Sequence, residues 1–366
     1  MHVKRNWPAL ALLAIMLASP ARAGESPAKA LEAQVDAVAD DSAPIAVYVL
    51  DSTKQKGWGA ADGTVAGKRL SPDATVRIAS NTKMFLAATV LRLWEQGRID
   101  LEAPIAPLID PKLDAMLKSD GYKTGIITVR QLLSHSAGLY DPGADARFVA
   151  FIKEQPDFVW TRESLIRLLI DYADPQTPPG TKFQYSDSGY ILLGDIVERI
   201  TGKSLAAAVR EQLRFDRLGL TSTWWEIYEP QPRRAEPRSQ QFLGDFEGSK
   251  VHASMDLFGG GGLIMSMHDL ATLTAAIFEG KVYDKPATLK EMLWKGPHQD
   301  AGKYRLGVFV GMVEGREVYS HSGFWGTLVH YRPDTRVTVA AATTQQQGFR
   351  TMRPLVERIG AAWPAL

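Results

Sequence analysis

Cysteine is absent from the 366 residues. That excludes disulfides, thiol nucleophiles, cysteine-ligated metals and a thiol for lipid attachment. Histidine is scarce: there are seven, and none sits in an H-E-x-x-H or similar spacing. Neither a metal nor any other cofactor is expected. No basic run is present either. The 42 Lys and Arg nearly balance the 41 Asp and Glu, for a net charge of +1, so a nucleic-acid partner is not expected. Long apolar runs are missing, with one exception near the start. Trp7 to Ala18 is apolar for about a dozen residues, too short to span a bilayer. Lys4 and Arg5 precede it, and Ala21-Arg22-Ala23 follows with A-x-A spacing. These features predict a secretory signal peptide over residues 1–23 and a periplasmic or secreted chain over 24–366. The alternative is an uncleaved anchor. After cleavage no stable membrane insertion is expected, and the partner is a small-molecule or peptide substrate.

What is present is ordinary globular composition, 45% hydrophobic and 23% charged, enough for a large core and two domains. "SPAKALEAQVDAVADD" reads as a helix, with Ser26 of its Ser26-x-x-Lys29 as the cap. "APIAVYVLD" and "KGWGAADG" read as a hairpin, and "TVRIAS" as a short strand or turn. The next stretch, "NTKMFLAATVLRLWEQG", is apolar on most sides, which predicts a buried helix stopped by Gly97. From about 100 to 251 the pattern is helical and loop-rich, with a helix over "YILLGDIVERITG". "YEPQPRRAEPRSQQ" reads as a loop with solvated arginines. "YRLGVFVGMVEGREVYSHSGFWGTLVHYRPDTRVTVAAAT" reads as three antiparallel strands, and "FRTMRPLVERIGAAW" as a closing helix. Strands at both ends and helices between predict an α/β (α+β) architecture. In it, residues 24–100 and 252–366 form an antiparallel sheet flanked by helices, and 101–251 form an inserted, mostly helical subdomain. The cleft between them is the natural place for a site.

Three short stretches carry chemistry. Ser80 and Lys83 lie three residues apart at the start of the buried helix, on one face. An amine there can take a serine's proton, although a serine cap beside a solvated lysine has the same spacing. Tyr185-Ser186-Asp187 lies in a loop just before a helix, and Tyr172-Ala173-Asp174 repeats its pattern. His321-Ser322-Gly323 is the only H-x-G in the chain and begins a strand whose backbone donors suit an oxyanion.

"IASNTKMFLAATVLRLWEQGRIDL", "TVRQLLSHSAGL", "PPGTKFQYSDSGYILLGDIVERITGKSL", "GGGGLIMSMHDLATL" and "HSGFWGTLVHYRPD" occur in the order seen in the serine β-lactamase-like superfamily. The chain resembles its branch of class C β-lactamases, D-Ala-D-Ala carboxypeptidases, D-aminopeptidases and related esterases over about 44–344. By that resemblance Ser80 is the acylated nucleophile, Lys83 the amine that helps deprotonate it, and Tyr185 a phenol that relays protons. His321 and Gly323 match the opposite wall, and the N–H groups of Ser80 and Phe324 form the oxyanion hole. His135 and Asp269 lie in matched segments and read as structural. Two departures stand out. Asp187 replaces the usual asparagine and, being a carboxylate, only accepts hydrogen bonds. It favours a charged Lys83, which leaves Tyr185 as a phenolate base, or else it favours a substrate bearing an amine. His321 replaces the usual lysine, which argues against strong β-lactamase activity and makes recognition of an anionic substrate depend on pH. The resemblance implies an exported serine hydrolase acting on D-amino-acid peptides or small amides. The alternatives are a promiscuous carboxylesterase, a weak β-lactamase, or a non-catalytic module that binds penicillins or muropeptides.

Overall fold

The computed structural model describes residues 26–363, and the segment read as a signal peptide lies outside them. Six strands form one antiparallel sheet in the order Phe309–Val313, Arg316–Gly323, Thr327–Arg332, Val337–Thr343, Ile45–Asp51, Lys56–Asp62. The first long strand thus pairs with the last, in the register Ile45↔Thr343 and Val49↔Val339. Alternation explains why both faces are covered. Ile45, Val47, Val49, Val337, Val339 and Ala341 point one way, into a core closed by helices Pro27–Asp36 and Phe349–Ala362. Ala46, Ala340 and Ala342 point the other way, into the larger core, where helix Met267–Phe278 packs on the sheet. Small side chains on that face let the helix lie close.

The stretch read as three strands is four. Glu314 and Gly315 both take positive φ, 50° and 74°, which makes the two-residue turn that splits Phe309–Val313 from Arg316–Gly323. Ser26 does cap the first helix, through the Lys29 amide. Helix Asn81–Glu95 is buried on almost every side, as its apolar circumference predicts. It packs on helices Asp187–Thr201 and Leu205–Gln212 and on the strands Arg316–Gly323 and Thr327–Arg332. Between residues 101 and 251 the chain is mostly helical. Thr223–Trp225, however, is a strand that joins Leu263–Ser266 and Thr75–Arg77 in a second sheet. Arg233 and Arg234 are exposed as read, but Arg238 is not solvated: it bonds Glu226 and the Ser249 carbonyl.

Candidate active site

Strand Thr75–Arg77 ends two residues before a tight turn. Ala79 sits in the left-handed region at φ 46°, a strained conformation for a residue with a Cβ, and delivers Ser80 to the mouth of the helix. Ser80 caps nothing with its side chain. Its Oγ instead accepts a hydrogen bond from Lys83 Nζ at 2.8 Å. The bland reading of a cap beside a solvated lysine is therefore wrong, since Lys83 is completely buried.

Lys83 Nζ also donates to the Gly260 carbonyl at 2.8 Å and pairs with Asp187 Oδ1 at 2.6 Å. Burial opposes its charge, but Asp187, Tyr185 and Asp256 together outweigh burial and hold the amine above its ordinary range. Tyr185 lies beside Lys83, whose Nζ is 5.3 Å from the phenol ring centroid, and lines a pocket together with Ser80. Its burial raises the phenol to about 12, against the pull of Lys83. At neutral pH Tyr185 is thus a phenol, and the phenolate expected from the sequence is not its resting form.

His135, read as structural, clamps both flanks of Tyr185. Its carbonyl accepts from the Gln184 amide at 2.6 Å, and its Nδ1 accepts from the Ser186 amide at 3.1 Å. Its ring lies 4.1 Å from the Tyr185 ring. Because Nδ1 accepts, the proton of the neutral ring sits on Nε2. Burial and Lys83 hold this imidazole well below its usual range. Asp269 is structural as read: its carboxylate accepts from the Ser222 amide and the Thr223 hydroxyl, both at 2.8 Å.

On the opposite wall, strand Arg316–Gly323 crosses directly over the turn before Ser80. A Cβ on Gly323 would overlap the Ile78 carbonyl oxygen, so only glycine permits the approach. The amides of Ser80 and Phe324 donate to no acceptor among the described residues, and both residues line the cleft. His321 is almost wholly buried. Its Nδ1 faces the Ser322 carbonyl at 3.0 Å and its Nε2 faces the Tyr304 hydroxyl at 3.1 Å. A carbonyl only accepts, so Nδ1 carries the proton and Nε2 accepts from Tyr304. Burial first, then Lys83, depress its pKa to about 3. The pH-dependent cation expected from the sequence does not form in the working range.

Asp187 sits in the first turn of helix Asp187–Thr201, where negative charge is favoured. Two acidic neighbours were missed in the sequence. Asp141 accepts from the Asp187 amide at 3.1 Å, and burial and Asp187 raise its carboxyl to about 7. Asp256 lines the cleft with Ser80 and Asp187, and its burial raises it to about 6. "YDPG" read only as a turn, and the acid ahead of "GGGG" gave no signal of its own. The cleft is open, with about 690 Å³ of non-atom space when the adjoining solvent is counted.

A family model described as Beta-lactamase matches residues 31–362. A putative D-alanyl-D-alanine carboxypeptidase of Escherichia coli K12 is 27% identical over 327 residues, covering 78% of this chain and 74% of that protein. An N-acetylmuramyl-L-alanine amidase of Bacillus subtilis 168 is 26% identical, over 74% of this chain and 67% of its own. Among solved structures, a D-stereospecific amidohydrolase from Streptomyces sp. superposes with a TM-score of 0.77 at 24% identity, covering 93% of this chain and all of that one. The D-amino acid amidase of Ochrobactrum anthropi SV3 gives 0.74 at 21% identity, covering 91% and 97%. These two likenesses establish the fold.

Proposed function

We propose that this chain, which belongs to the beta-lactamase family of hydrolases, is an exported serine hydrolase that acts through an acyl-enzyme on Ser80. The observation that carries the reading is the buried Lys83 amine, 2.8 Å from a serine hydroxyl that caps nothing. A buried lysine is costly without a task or a partner, and here it has both.

The chemistry follows from the proton count. At rest Lys83 is an ammonium and Tyr185 a phenol, so one proton must leave the pair before Ser80 is activated. Asp187, 2.6 Å away, stabilises the ammonium, so this proton is lost to solvent as the pH rises. Neutral Lys83 then takes the Ser80 proton as Oγ bonds the substrate carbonyl carbon. The amides of Ser80 and Phe324 stabilise the oxyanion, each worth about 3–4 kcal/mol in comparable sites. Tyr185 passes the proton to the departing group. Water then cleaves the ester by the reverse relay.

The relatives' names favour D-amino-acid peptides or small amides as the substrate class, ahead of esters or β-lactams. His321 supplies no cation to grip a β-lactam carboxylate. Assay of the mature chain against a D-Ala-D-Ala peptide, a D-aminoacyl anilide, nitrocefin and a short p-nitrophenyl ester tests this order. A fluorophosphonate should label Ser80, and Ser80→Ala should abolish turnover. Label on another residue, or an active Ser80→Ala variant, refutes the assignment. Stoichiometric acylation without turnover would identify a binding module instead.

A further inference from the structure

Helix Phe349–Ala362 packs on strands Thr327–Arg332 and Val337–Thr343. The same face of the sheet continues past it onto Arg316–Gly323 and Phe309–Val313. Ser320 pairs with His330 and Ser322 with Leu328, which puts both serines on the face of Leu328, a member of the core that this helix closes. Gly311 faces Val318 in the outermost pair of strands. Where larger side chains would fill the space, two serines and a glycine leave a groove, and His330 and Phe349 also line it. The groove opens into the catalytic cleft. Phe309, His321, Ser322 and Phe349 line both it and the part of the cleft that holds Ser80 and Tyr185. Strand Phe309–Val313 ends opposite Ser320, so pairing on that edge stops short of 321–323. In the relay above, Tyr185 serves the departing group, which makes this the leaving-group side.

The lining is polar without free charge. His330 is almost wholly buried, and its Nε2 has no hydrogen-bond partner among the described residues, a costly state for a polar atom. Burial pushes the imidazole down to about 4, so the ring is neutral, with one donor and one acceptor. The hydroxyls of Ser320 and Ser322 each offer both as well. The ions at the rim engage one another: Arg353 bonds Glu357 at 3.0 Å, and Lys303 pairs with Asp300 at 3.2 Å. A peptide backbone alternates donors and acceptors and carries no charge, which matches this lining better than an anion or a cation does. From Gly323 back to Ser320 the strand covers about 10 Å, the length of about three extended residues. We propose that this groove, on the sheet face that carries the first and last helices, is a second binding site that takes the leaving-group half of an extended peptide, so that cleavage falls within a chain and not only at its end. This rests on the serine-hydrolase reading. The groove holds the chain and takes no part in the bond exchange. The Oγ–C bond forms, the scissile C–N bond breaks, the serine proton leaves on the departing nitrogen, and water later splits the ester.

The test keeps one acyl half, D-alanyl, and lengthens the leaving group from glycinamide to diglycinamide to triglycinamide. Protection of Ser80 from a fluorophosphonate by the same three compounds reads binding where turnover is slow. From the shortest to the longest, kcat/KM should rise by roughly tenfold or more, and protection should need a correspondingly lower concentration. Gly311→Phe fills the groove. A Cβ there meets only Val318 Cγ2, at 3.8 Å, so the strand has room for it. The ratio of longest to shortest, taken within each protein, should fall below about threefold in this variant. Ser320→Phe provides a second variant if the first does not fold. Equal kcat/KM and equal protection at all three lengths, or a length advantage that survives in both variants, overturns the inference, while labelled Ser80 leaves the hydrolase reading standing. Failure of Ser80 to label removes both.

Discussion

Asp187 sets the protonation of Lys83. Burial alone would lower the amine, and the carboxylate reverses that. Since the base form is needed and the pKa is raised, kcat/KM for a neutral substrate should climb with pH through the alkaline range. Asp187→Asn leaves the burial and removes the opposing charge. The alkaline limb should therefore move down, by about 1–3 pH units, and activity at pH 7 should rise for a neutral ester. A pH–rate profile of both proteins decides it, and coincident limbs would detach Asp187 from the base. His321 gives a contrasting expectation. With its pKa near 3 it is neutral from pH 5 to 8, so the difference in KM between a carboxylate substrate and its neutral ester should show no imidazole titration there. A KM step near pH 6.5 that disappears in His321→Gln would mean that the ring is solvated after all. His135 acts one step back, by holding the backbone on either side of Tyr185. His135→Phe keeps the ring and leaves the Ser186 amide without its acceptor. It should lower kcat at least tenfold with little change in KM, and lower stability by about 1–3 kcal/mol in urea titration. An unchanged kcat would leave the ring a purely structural role.

At the level of elements, the site depends on how closely strand Arg316–Gly323 crosses the turn before Ser80. Gly323→Ala places a Cβ on the Ile78 carbonyl oxygen and beside Thr327 Oγ1. Backbone cannot yield as a side-chain tip can. The strand should shift, displacing the Phe324 amide, and fluorophosphonate labelling of Ser80 should slow by about tenfold or more. Labelling at the normal rate would place the oxyanion donors elsewhere. The sequence announced this geometry only in part. The apolar circumference of Asn81–Glu95 and the S-x-x-K spacing are local, so the buried helix and its Ser80–Lys83 pair were legible. The same holds for the hairpin Ile45–Asp62 and the Gly202 stop. Asp141 was not legible because it meets Asp187 across 46 residues, and no local period encodes that meeting. Asp256 reaches the cleft in the same way, through tertiary packing. The Glu314-Gly315 turn was missed because Glu-Gly is not one of the Asn-Gly or Asp-Gly pairs that mark a two-residue hairpin turn, so the stretch read as fewer strands. His321 was misjudged for a physical reason: a sequence names an imidazole but not its burial, and burial sets its charge.

On the scale of the whole molecule, the sheet separates two cores, and only one of them supports the site. Ile359, fully buried, belongs to the core closed by the first and last helices. Leu86, equally buried, belongs to the larger one. It packs behind Gly259, where a Cβ would press on its side chain, and the next carbonyl, that of Gly260, holds Lys83. Replacing either by alanine opens a cavity and should cost about 2–5 kcal/mol of unfolding free energy. Their effects on chemistry should differ. In Ile359→Ala the cavity lies across the sheet from Ser80, and interiors relax over short distances. Acylation should keep its rate in buffer. In Leu86→Ala the Gly259–Gly260 segment loses its backing, the Lys83–Gly260 bond loosens, and the amine strays from Ser80. Acylation should slow by roughly tenfold or more, since small misplacements of a catalytic group are expensive. Urea unfolding followed by tryptophan fluorescence gives the stabilities, and fluorophosphonate kinetics well below the unfolding midpoint give the acylation rates. Equal slowing in the two variants would mean that the sheet transmits strain from one core to the other and that the site rests on both.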